Sequence, residues 1–244
     1  MEIQSGFAEK IADPFKQGLQ GGISIAIGYM PVALTYGFIA KTTGLSLLET
    51  VLMSMIVYAG ASQYMALDMI SKQIGMFEII FTTFIVNIRH LLLTASLNEK
   101  VEQDKPWKKA IYAFGVTDET FSVAAVQKEK LKTGYMFGLT IIAYSSWVLF
   151  SGIGYLAGSS LPGLFQEGMS IALYAMFIGL LVPSMKGNKK VIFLAVLAAL
   201  FNSLFVISGA LSAGWSIVLS TLISATLIEV IVFLRKRKGD CAGE

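Results

Sequence analysis

Seven apolar stretches, near residues 18–40, 47–70, 76–97, 134–158, 168–185, 190–210 and 214–234, dominate this 244-residue chain. Each is long enough to cross a bilayer as a helix. Charged residues make up only 14%, against about a quarter in soluble domains, and mean hydropathy is +0.68. The expected fold class is an all-α polytopic membrane protein with about seven transmembrane helices, surrounded by membrane lipid. The whole of 1–244 is read as one transmembrane domain. The first 17 residues carry Glu2, Glu9, Lys10, Asp13 and Lys16 with no apolar core before a cleavage site, so the first apolar run is expected to be the first anchor. The lone cysteine, Cys241, can neither close an internal disulfide nor build a cysteine metal site. No metal or other cofactor is expected.

Segment 98–133 interrupts the spans. It opens on Glu99, Lys100, Glu102, Asp104 and Lys105, and Pro106 blocks helix continuation. A milder stretch, Ala110–Gln127, follows with Asp118 and Glu119 at its centre. With seven spans, lysine and arginine divide fifteen to three, which places the C-terminus in the cytoplasm and the N-terminus outside. If Ala110–Gln127 also crossed, eight spans would divide the charges about thirteen to five and bring the N-terminus inside. Two adjacent acids favour a cytoplasmic or re-entrant segment over a lipid-facing span, hence seven. Gly37-Phe38-Ile39-Ala40 aligns with Gly154-Tyr155-Leu156-Ala157, and Asn87 with Asn202. These matches read as a 3+3 inverted repeat plus one C-terminal helix, a transporter architecture.

Break signals and polar residues cluster in the first three spans. Pro31 kinks or breaks span one, either for packing alone or to expose backbone to a substrate. Span two carries Tyr58-Ala59-Gly60-Ala61-Ser62-Gln63-Tyr64. A glycine-centred break there would expose amides able to hold a carboxylate, although small residues also serve helix packing. In span three, Thr83, Asn87, His90 and Thr94 share one face, with Glu78, Thr82 and Arg89 opposite. Such a helix should run through the middle of the bundle. Arg89 needs an anionic partner, whether Asp118, Glu119 or a substrate carboxylate. His90, the only histidine, could relay a proton or simply pack. Asp118 and Glu119 could bind an ammonium, accept a transported proton, or sit on a solvated helix. Thr117 could cap that helix, but Thr120 does not complete a capping box. Asp68 reaches the interface, and Glu229 pairs with the basic tail. The substrate-binding candidates are therefore Pro31, Tyr58, Gly60, Ser62, Gln63, Asn87 and Arg89. The proton-coupling candidates are His90, Asp118 and Glu119.

The chain resembles the AzlC family, the large subunit of two-component branched-chain amino acid exporters. The resemblance rests on Tyr29-Met30-Pro31-Val32-Ala33, on Tyr58–Tyr64, on Asn87-Ile88-Arg89-His90, on Phe114–Phe121 and on Ser145-Ser146-Trp147, in the family's order over about 18–150. It implies export of valine, leucine, isoleucine and analogues across the bacterial inner membrane, and a small AzlD-type membrane subunit as partner. The residues add a secondary transporter without nucleotide chemistry, since no phosphate-binding glycine loop occurs, and no nucleic-acid partner. The competing readings are a channel or scaffold subunit and an intramembrane serine protease. The protease would need more than Gly60-Ala61-Ser62 and one histidine.

Overall fold

The structure, a computed structural model, describes residues 13–158, 178–179, 181–182, 185–209 and 211–240. Among them the chain is helical, with only an isolated bridge between Val101 and Leu131. The helices are α1 (Pro14–Thr42), α2 (Leu47–Ile56), α3 (Gly60–Ser71), α4 (Met76–Asn98), α5 (Pro106–Phe114), α6 (Asp118–Ala125), α7 (Thr133–Ala157), α8 (Lys189–Ser208) and α9 (Ala213–Asp240). Local chemistry sets their starts. The Asp13 side chain accepts from Phe15 N with Pro14 in the first turn, and Ser46 and Glu49 close a capping box on α2. α1, α4, α7, α8 and residues 214–234 of α9 are long and apolar enough to cross a membrane. The stretch near 168–185 lies largely outside the described residues.

α1 and α7 pack side by side in parallel. The contact runs in register from Gly18 on Tyr135 to Gly37 on Ser151 and Phe38 on Gly158, with Ser146 Oγ donating to the Ala26 carbonyl at 2.7 Å. A Cβ at Gly37 would lie 2.0 Å from the Ser151 carbonyl, and one at Gly154 would lie 2.1 Å from that of Leu34. Only glycine admits so close an approach of two backbones. The end of the bundle where both helices begin is called lower here, the other upper. Pro31 does not break α1, which continues through it; the side chain is exposed. The parallel pairing also removes the inverted relation read between the first and fourth spans. Gly37 and Gly154 resemble each other as opposite halves of one contact.

The 47–70 stretch, read as one span, is instead a helical hairpin that returns to its starting end. α2 enters from the upper end, with Val51 over Gly152 and Ser54 Oγ donating to Ser151 Oγ at 2.8 Å. It reaches mid-bundle at Tyr58, whose ring lies 4.9 Å from that of Tyr144. Tyr58 has φ +42, a left-handed conformation costly for a bulky residue. α3 then climbs back, from Gly60 on Trp147 to Tyr64, whose hydroxyl donates to the Val32 carbonyl at 2.7 Å. α4 descends from there to the lower end, where Lys100 Nζ reaches the Ala125 carbonyl and Val101 bridges Leu131.

Segment 98–133 makes a second hairpin from the opposite side. α5 rises from the lower end until Phe114 meets Tyr58 and Tyr144, and α6 returns to it. A hairpin followed by a long helix therefore occurs twice, entering from opposite ends. Because 47–70 turns back, α1 begins at the same end as the lysine-rich 98–133 segment. The sequence reading had placed them on opposite sides.

α9 begins at the upper end, where Glu78 of α4 accepts hydrogen bonds from Ser212 and from Trp215 N (3.2 Å). An acid in the first turn of a helix complements its dipole. α8 begins at the lower end, where Lys190 Nζ meets Glu229 Oε1 at 2.5 Å. Glu229 thus pairs with α8. The basic tail it was expected to meet begins at Arg235, whose side chain lies outside the described residues. Asp68 is exposed and pairs with Lys72. α4 is not central: Phe77, Ile80, Phe84 and Leu91 form an exposed apolar flank. Its polar residues meet α9 on one side and α3 with α6 on another.

Candidate functional site

The two hairpin tips meet between α1, α4 and α7 around a cavity of about 30 Å³, room for a water molecule. Below it, Thr117 opens α6. Its hydroxyl accepts from Thr120 N at 3.3 Å, and the Thr120 hydroxyl accepts from Thr117 N at 2.7 Å. This is a reciprocal capping box after all, with a threonine hydroxyl where the usual pattern has Glu or Gln. The cap places Asp118 and Glu119 in the first turn, pointing at mid-bundle. Asp118 Oδ2 lies 3.0 Å from Arg89, both half-buried. Glu119 Oε2 accepts from the Tyr29 hydroxyl at 2.7 Å, and Thr117 Oγ1 lies 2.7 Å from the same hydroxyl.

Above the cavity stands the start of α3. No side chain caps it, so the first-turn amides of two cavity-lining residues, Gly60 and Ala61, are open to a ligand. Trp147 closes one wall, edge-on to Tyr29 at 5.4 Å and stacked on Tyr36 at 6.2 Å. Gln63 fixes it: Trp147 Nε1 donates to Gln63 Oε1 at 3.0 Å, and Gln63 Nε2 donates to Ser54 Oγ at 3.1 Å. A Cβ on Gly60 would lie 2.8 Å from the Trp147 ring. Gly60→Ala is therefore expected to displace that ring at a cost of about 1–3 kcal/mol. The readout is a change in Trp147 fluorescence in a chain whose Trp107 and Trp215 are Phe; unaltered emission would contradict the contact.

Three buried polar atoms on the cavity-lining residues make no hydrogen bond among the described residues: the Tyr58 hydroxyl, Arg89 Nε and His90 Nε2. His90 Nδ1 lies 3.1 Å from the Val116 carbonyl, which can only accept, so Nδ1 carries a proton. Buried polar atoms normally have partners, and three orphans around one cavity mark a place for a polar ligand. The acids outnumber Arg89 by one.

The cavity thus gathers Tyr58, Gly60, Arg89, His90, Asp118 and Glu119. Ser62 and Asn87 stand behind it, bonded to each other at 2.5 Å. Gln63 is wholly buried with both ends of its amide occupied, so it orients Trp147 and does not meet the cavity. Pro31 does not line it. Tyr29, Thr117 and Trp147 line it without having been singled out as site residues; aromatic residues at helical spacing look like core until their partners are known.

The family described as AzlC protein matches residues 24–161, more than half of the chain and all of the cavity. The chain belongs to the AzlC family. Among relatives of this AzlC chain, an uncharacterized membrane protein of Archaeoglobus fulgidus is 34% identical over 176 residues, 71% of this chain and 77% of its own. The inner membrane protein YgaZ of Escherichia coli is 32% identical over 199 residues, 78% and 80% of the two chains. The branched-chain amino acid transport protein AzlC of Bacillus subtilis is 27% identical over 179 residues, 72% and 70%. No solved structure matches. Family and long apolar helices together make this a multi-pass membrane protein.

Proposed function

We propose that the chain is the large subunit of a secondary exporter of small apolar amino acids, branched-chain ones above all, in the bacterial inner membrane. It acts with a small AzlD-type membrane subunit. The observation that carries this is the pairing of an uncapped helix start with an excess acid across one mid-bundle cavity. A zwitterion needs both. Its carboxylate suits the α3 amides at Gly60 and Ala61, beside Arg89 and Tyr58, which also line the cavity. Its ammonium suits Glu119 and Asp118. The Tyr58 and Trp147 rings offer an apolar surface to an aliphatic side chain. The name of the Bacillus subtilis relative supports the same substrate class. A cavity the size of one water cannot hold an amino acid, so this is an occluded form, and loading requires the hairpin tips to part.

Glu119, freed from Tyr29, is the first candidate to accept a proton in exchange for substrate, with Asp118 and His90 beside it. Ser62 and Asn87 brace the start of α3. The chain acts as one transporter domain, with five full crossings and two re-entrant hairpins among the described residues. Two lysines before or in the start of α1, seven in 98–133, three in 186–190 and four basic residues in the tail give the lower end sixteen. The upper end has Lys41 and Lys72, and Arg89 lies between. The lower end is then cytoplasmic, with both termini.

The test is efflux of preloaded valine, alanine and methionine from cells with and without the chain and its small partner. Faster loss of valine is expected; no difference for any of the three would sink the export reading. The Bacillus subtilis relative, named for transport, favours this over an enzyme. A channel would pass valine down its gradient without responding to a proton gradient.

A further inference from the structure

A larger, open groove of about 310 Å³ lies between α4 and α5 below the central cavity, with Leu91, Ala95, Asn98 and Ala110 exposed along it. Leu91, Ala95, Ala110, Ala113 and Val116 give it apolar walls. Tyr112 also lines it; that residue is 4% exposed, and its hydroxyl has no hydrogen bond among the described residues. At the mouth, Lys109 Nζ donates to Asn98 Oδ1 at 2.9 Å. The wall between the groove and the central cavity is one residue thick. His90 and Thr117 line the central cavity, while their chain neighbours Leu91 and Val116 line the groove. The contact from His90 Nδ1 to the Val116 carbonyl at 3.1 Å joins the two halves of that wall.

We propose that the lower groove is a second binding subsite for the transported molecule, in which an aliphatic amino acid waits on the cytoplasmic side before reaching the central site. This rests on the export reading above. The walls suit an aliphatic side chain, and the cation at the mouth suits a carboxylate. Passage inward opens the contact between His90 and Val116.

Ala113→Cys in a Cys241→Ser background places one thiol in the lower groove. The full chain, with its small partner, is alkylated by a maleimide in inside-out vesicles. Valine at ten times its half-saturating concentration is expected to slow labelling about tenfold, in proportion to site occupancy. Glycine, lacking a side chain for the walls, should leave it unchanged. Ala113→Leu, which fills the groove, should raise the half-saturating valine concentration about tenfold without lowering the maximal rate, and it keeps the proposal testable if the cysteine variant labels poorly. Unslowed labelling in vesicles that do transport valine overturns the subsite and leaves the export reading standing. So does equal slowing by glycine. Vesicles that neither transport valine nor show protection overturn both.

Discussion

Arg89→Gln is expected to abolish valine efflux while the chain still inserts and accumulates. The guanidinium lies 3.0 Å from Asp118 in a half-buried pair, and its Nε is left over on a residue that lines the central cavity. Removing one member of a half-buried charge pair costs between the roughly 1 kcal/mol of an exposed pair and the roughly 3–5 kcal/mol of a buried one, about fivefold or more in any equilibrium that depends on it. The remaining acids would then face the cavity with no cation and repel a carboxylate. Efflux from preloaded cells and membrane abundance are measured together. The double variant Arg89→Gln with Asp118→Asn separates two roles. It removes the orphan charge, so restored efflux would reduce the pair to a structural brace, whereas continued loss places the charges in contact with the substrate.

Gly37→Ala and Gly28→Ala, nine residues apart in one helix, should have opposite effects on stability. Alanine in a helix interior is favoured over glycine by about 1 kcal/mol. A Cβ at Gly28 meets nothing within 4 Å, so that gain is realised. At Gly37 the same atom lands 2.0 Å from the Ser151 carbonyl and 2.6 Å from Tyr155 N, both backbone. α1 and α7 must separate, at about 3 kcal/mol or more. Thermal or denaturant melting of the purified chain in detergent gives the comparison. Equal midpoints would mean that the two helices do not pack as described.

The sequence makes the membrane class plain, because length and apolarity of a stretch are local properties. The broken centre of 47–70 is legible for the same reason: Gly60 and the polar run around it signal a helix end. Direction is not local. Nothing in residues 47–70 tells whether the chain beyond Tyr58 continues downward or returns, since neither half carries a signal of direction. The answer lies in partners distant in sequence, Trp147 for Gly60 and Val32 for Tyr64. That ambiguity put the start of α1 and the 98–133 segment at opposite ends, whereas the bundle brings them to the same one. Gln63 shows a related limit. A buried amide must be satisfied, but sequence does not say whether by substrate or by an indole and a serine. Thr120 completing a cap was missed because a hydroxyl is a rare substitute for Glu in that role.

The parallel contact of α1 and α7 has a consequence for synthesis. Gly37 leaves the ribosome well over a hundred residues before Gly154, its packing partner. At roughly 5–20 residues per second that is a delay of several to some twenty seconds. During it α1 sits in the bilayer with its glycine face open and both hairpins without the helix that holds them. The oldest segment of the chain is thus among the last to find its place, and the nascent protein is most exposed to quality control in that interval.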